Sequence, residues 1–141
     1  MITEHILESF KLGTIDYNVN IHDTMNNIEG GVEYGCQATF AGMIDIASGY
    51  RYDDKTRFGG RIIEGKFNED TMNLTYYHEI LHGMFDVNEL AWNEIEIEAL
   101  AKSFFQYMNQ FIPKLKLHTM NEYIHLQDKD AYIIRLNAEA L

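Results

Sequence analysis

Three side chains within five residues carry the chemistry most legible in this chain: His78, Glu79 and His82, in the run His78-Glu-Ile-Leu-His82. Four residues advance an α-helix by a little over one turn, so both imidazoles project from one face and can share one Zn²⁺ at about 2.0–2.1 Å each. Glu79 lies about 100° round the helix from His78 and so stands beside such an ion rather than on it. A carboxylate there holds a water, accepts its proton and later delivers it to a leaving amine, while zinc lowers the water's pKa to about 7. The chemistry is hydrolysis. Two histidines four apart also occur on ordinary helix surfaces, so the run has to be weighed with its surroundings.

A catalytic zinc takes a third protein ligand and keeps a fourth position for water. Asp86, Glu89, Glu94, Glu96 and Glu98 all follow His82. Asp86 and Glu89 fall in a loop that the sequence does not orient. Steps of three or four from Glu94 reach Ile97, Ala101, Phe104 and Met108, an apolar stripe expected to face inward, and Glu98 shares the edge of Glu94. Glu96, rotated by about 200°, faces away. An inward glutamate needs a partner, which makes Glu94 the expected third ligand and Glu98 the expected acceptor for the N–H of a ligand imidazole. The competing explanation is that both sit at a helix start because the dipole favours acids there. His118 or His125 would instead complete an all-histidine site. Tyr76 and Tyr77, directly before His78, are candidates to contact an oxyanion or substrate, with packing against Leu81 the plainer role for Tyr77.

The elements that must position these groups follow from hydrophobic period. Residues 10–23 alternate Ile15, Tyr17, Val19 and Ile21 on one face and read as a strand. Residues 26–31 form a turn, 34–47 a second β region, 48–60 a loop and 61–64 a short strand. Asn68 is a suitable N-cap, with Glu69 and Asp70 in the first turn of a helix over 69–85. The second helix starts near Asn93 and carries Ile97, Leu100, Ala101, Phe104, Met108 and Phe111. It is expected to stop before Pro113. Residues 122–127 and 131–136 around Asp128-Lys129-Asp130 read as a β-hairpin. The class is α+β: a small, mostly antiparallel sheet packed on the histidine-bearing helix and a glutamate-bearing helix, with a C-terminal hairpin. One domain over 1–141 is expected, with its core at 10–112 and an extension at 113–141.

Composition bounds the partners. The chain has 141 residues, 22 acidic against 11 basic, for a net charge of -11. Such a surface repels phosphate backbones and anionic lipids, so neither nucleic acid nor a membrane is an expected partner. Cys36 is the only cysteine, which excludes an intramolecular disulfide and cysteine-rich zinc sites. Met1-Ile-Thr-Glu-His lacks the basic stretch and apolar core of a signal peptide, and no apolar run approaches the ~18 residues of a membrane span. The expected compartment is the cytoplasm.

The run His78-Glu-Ile-Leu-His-Gly-Met-Phe-Asp86, then Asn93-Glu-Ile-Glu-Ile-Glu-Ala-Leu-Ala101, then Phe104-Phe105-Gln106-Tyr107, resembles the small zinc metallopeptidases of bacteriophages and prophages. These are gluzincin-type proteins with a His-Glu-Ile-x-His-Gly/Ala motif followed by a Glu-x-x-x-Glu-x-Leu-Ala helix, distantly similar to the ImmA/IrrE-type peptidases. The resemblance covers about residues 70–110. It implies a zincin-like fold, one Zn²⁺ held by His78, His82 and Glu94, Glu98 behind them, and a peptide or protein substrate. The stretch 48–67 is longer than that pattern, and residues 113–141 have no counterpart in it. Two other readings compete: a zinc-holding fold that binds or regulates a partner without catalysis, and a metal-free interaction domain in which the histidines are incidental.

Overall fold

The computed structural model describes residues 2–26, 30–56 and 59–129, with side chains described through Leu117. The chain forms two compact units, Met1–Phe105 and a second beginning at Gln106. The first holds β1 (Ser9–Leu12), β2 (Ile15–His22), β3 (Gly35–Ala38), β4 (Met43–Ala47), β5 (Gly49–Asp53), β6 (Ile62–Lys66), α1 (Glu69–Val87) and the start of α2 (Glu94–Lys129). Within the described residues the second unit is the continuation of α2, where Tyr107 and Phe111 stack one turn apart with ring centroids at 5.9 Å.

The expected strand at 10–23 is a tight hairpin, β1–β2, turning at Gly13 with φ 59°. Left-handed backbone is why a glycine stands there. The β region at 34–47 is likewise two strands, antiparallel β3 and β4. The main sheet runs β1-β2-β4-β3 and is mixed, because β2 pairs β4 in parallel. β1 and β3 are its edges. Residues 48–60, expected as loop, contain β5, which pairs antiparallel with β6 and sets Arg51 opposite Glu64. The alternation of Tyr50 and Tyr52 with charged residues is masked locally by neighbouring polar residues and glycines; the pairing that makes it a strand is long-range.

One face of the main sheet buries Tyr17, Val19, Ile44 and Ile46 against α1, which contributes Tyr76, Tyr77 and Ile80. Ile97 and Ala101 are fully buried on α2. The other face is polar. There Asp45 accepts from His22 Nε2 at 2.7 Å and Asn20 Nδ2 at 3.3 Å, and Cys36 Sγ lies 3.8 Å from its second oxygen. Burial, then the Asp45 charge, push the Cys36 thiol up to about 11.

Two corrections concern α2. It does not stop before Pro113 but passes through it to Lys129. Proline removes one N–H and crowds the preceding turn, yet Gln110, Lys114, Leu115, Lys116 and Leu117 around it are strong helix formers, and each added residue extends a helix already nucleated. Residues 122–127, expected as a strand, are accordingly helical turns; residues 131–136 lie outside the described residues. The apolar stripe is also less buried than its period suggests: Leu100, Phe104 and Phe111 are exposed.

Both helices start as their sequences indicate. Asn68 Oδ1 accepts from Thr71 N at 2.8 Å, and Asn93 Oδ1 from Glu96 N at 2.8 Å. α1 ends in a Schellman turn: Leu90 N donates to Phe85 O at 2.8 Å and Glu89 N to Asp86 O at 3.1 Å. Glu89 occupies the left-handed position with φ 56°. This turn sends the chain back so that Trp92 and Glu94 return to α1.

Glycine relieves the steric cost of left-handed backbone, so Glu89→Gly is expected to raise stability by about 0.5–1 kcal/mol in urea denaturation. The raised Cys36 pKa favours the unreactive thiol. Iodoacetamide alkylation of the folded protein should therefore be much slower than that of free cysteine at pH 8, and should climb with pH until about 11.

Candidate metal centre

α1 presents His78 and His82 with their Nε2 atoms 3.1 Å apart. The capped first turn of α2 brings Glu94 across both: Oε2 lies 3.2 Å from His78 Nε2 and Oε1 2.9 Å from His82 Nε2. Among the described residues this is the single group of three or more side chains with metal-ligand atoms drawn together. Glu98, one turn on, receives His78 Nδ1 at 2.8 Å and holds Lys102 Nζ at 3.6 Å with its other oxygen. A carboxylate thus stands at each ring nitrogen of His78, Glu98 at Nδ1 and Glu94 at Nε2, and Nε2 also faces the second imidazole nitrogen.

The histidines are well shielded, with 18% and 9% of the side chain accessible, whereas Glu94 keeps 61%. The inward orientation expected for Glu94 is thus corrected: it reaches the histidines from the solvent side, at the rim. Burial lowers the pKa of His82, with Glu94 opposing.

Glu79 is 7% accessible and takes no part in the donor group. Burial, then Glu94 and Glu33, raise its carboxyl to about 7. It lines a cavity of about 430 Å³ that also touches His78, Thr75, Leu74, Tyr34 and Glu33. The edge strand β3 forms one wall. A Cβ on Gly35 would lie 2.7 Å from Thr75 Cγ2 and 3.5 Å from Glu79 Cγ, so β3 approaches α1 at Glu79 only because residue 35 has no side chain.

Tyr76 and Tyr77 are placed elsewhere. Both are 3% accessible. Tyr76 packs edge-on against Phe10, and the Tyr77 hydroxyl meets His5 Nδ1 at 2.8 Å while its ring packs on Phe104 and Phe105. One and two residues before His78, they point about 100° and 200° away from it, into the core. Asp86 and Glu89 are also outside the donor group. Asp86 accepts from Gln37 at 2.8 Å, Thr39 at 2.9 Å and Trp92 Nε1 at 3.3 Å. The side chains of His118 and His125 lie outside the described ones.

Sequence reasoning missed Trp92, whose ring meets His82 at 4.3 Å and 77° and whose N–H is tied to Asp86. It also missed Gly35 and Glu33. No local period marks them, since each matters only through a long-range approach to α1. Comparison with family models, curated proteins and solved structures found no match to this chain. No helix among the described residues is long and apolar enough to cross a membrane.

Gly35→Ala must push β3 off Thr75 and is expected to cost about 1–3 kcal/mol in urea denaturation. An unchanged midpoint would contradict the close approach described.

Proposed function

We propose that this chain is a zinc-dependent hydrolase of peptide bonds, with His78, His82 and Glu94 as the metal ligands and Glu79 as the general base. The observation that carries the reading is the donor cluster: the two Nε2 atoms stand 3.1 Å apart, and the Glu94 carboxylate sets one oxygen 3.2 Å from His78 and the other 2.9 Å from His82. Ligand atoms about 2.0–2.1 Å from a tetrahedral zinc stand about 3.3 Å from one another, so the two imidazole nitrogens are already near the spacing that one ion requires, and each has a Glu94 oxygen at a similar distance. Two neutral imidazoles and one carboxylate also suit zinc chemically.

A bound Zn²⁺ supplies Lewis acidity, polarising the scissile carbonyl and making water a usable nucleophile near neutral pH. The remaining work falls to the protein's own side chains. Glu98 holds the His78 ring and its Nδ1 proton, keeping Nε2 directed at the ligand point. Trp92 packs against His82 and limits its rotation. Glu79 borders the cavity, and among the described residues no hydrogen bond engages its carboxylate. It is therefore available to accept a proton from the attacking water and return it to the leaving amine. The exposure of Glu94 leaves the outer side of the site open for an extended chain to enter.

Three outcomes follow. Protein purified without a histidine tag should bind one zinc per chain by elemental analysis, and His82→Ala or Glu94→Gln should lose it. Glu79→Gln should retain zinc while turnover on a peptide library falls by a factor of about 10² or more. A Glu79→Gln variant as active as the parent would overturn the assignment of the base, and a zinc-loaded parent inactive on every peptide would favour a binding protein. Glu98→Gln should weaken zinc affinity about 10- to 100-fold in a chelator competition.

A further inference from the structure

The cavity beside Glu79 has a chemistry of its own. Its walls combine the apolar side chains of Val32 and Leu74, the ring of Tyr34 and the carboxylate of Glu33. Among the described residues no lysine or arginine lines it. Of its other acids, Glu98 holds His78 and Lys102, and Glu79 is buried on α1. Glu33 is different. Its backbone N–H is tied to Met25 O at 3.0 Å, which fixes the segment, but among the described residues no hydrogen bond or ion pair engages its carboxylate. Tyr34 is held from outside the cavity by Phe67, stacked at 4.7 Å, and Phe67 in turn meets Tyr50 at 5.4 Å.

Two aliphatic side chains, an aromatic ring packed from behind and one unpaired carboxylate match a long aliphatic stem ending in a cation. Such a side chain buries its methylenes against apolar surface, and its charge gains from both a carboxylate and the face of a tyrosine. A volume of about 430 Å³ accommodates it. An acidic substrate side chain would meet Glu33 without any neutralising partner. We propose that this cavity receives a lysine or arginine side chain of the peptide substrate, and that Glu33 is the residue selecting it. The word substrate rests on the hydrolase reading above; the preference for a basic peptide does not.

Binding measurements separate the two. Three labelled alanine-rich peptides, with lysine, norleucine or glutamate at one central position, would be titrated by fluorescence anisotropy. The protein would be the full-length Glu79→Gln variant, with and without added zinc. About 0.3 M salt screens the long-range attraction of the acidic surface. The lysine peptide should bind about tenfold more tightly than the norleucine peptide, and the glutamate peptide more weakly than either. Adding Glu33→Gln should erase the lysine advantage and leave norleucine binding and zinc content unchanged. Asp16→Asn, at a remote exposed acid, should change neither. Equal binding of lysine and norleucine, a lysine preference that survives Glu33→Gln, or no binding of any peptide would overturn the proposal. A Glu33-dependent lysine preference in a parent protein that cleaves nothing would sustain it while sinking the hydrolase reading.

Discussion

Three ligand-type side chains converge on one point in this structure. His78 Nε2 and His82 Nε2 are 3.1 Å apart, and a carboxylate lies across both. Glu98 stands at the other ring nitrogen of His78 and carries Lys102 on its second oxygen. A cation satisfies all three donors together, whereas removing any one leaves the others without a reason to converge. The Schellman turn after α1, the Asn93 cap and the Trp92 contact all serve to bring Glu94 to that point.

The sheet acts on the same constraint from the other side. Ile44 and Ile46 anchor α1 through its buried face, and Gly35 lets the edge strand β3 come down on Thr75 and Glu79. Glu79 is thereby enclosed while Glu94 stays open to solvent. One helix thus carries a shielded carboxylate and two shielded imidazoles, and a second helix supplies the exposed carboxylate that meets the imidazoles. The net charge of -11 surrounds this with a field that favours cations, whether metal ions or basic side chains.

Much of the site could be read from sequence because it is local. His78 and His82 share a face by helical period, and Glu94 and Glu98 follow from the register of α2. The Asn68 cap and the start of α2 near Asn93 are equally local. What failed depended on partners distant in sequence. Strand β5 exists because β6 pairs with it, and Tyr76 and Tyr77 turn into the core because Phe10, His5 and Phe105 are there to receive them. Pro113 misled in the other direction, since a local penalty was outweighed by the helix on both sides of it. Glu94 was assigned for a partly mistaken reason: it meets the histidines, but from the rim rather than from a buried stripe.

X-ray absorption at the zinc edge on protein loaded with one equivalent of metal tests the central claim most directly. The account requires two imidazole nitrogens at about 2.0–2.1 Å, with oxygen completing a four-coordinate shell and no sulfur. A spectrum showing zinc surrounded by oxygen alone, without imidazole scattering, would contradict it.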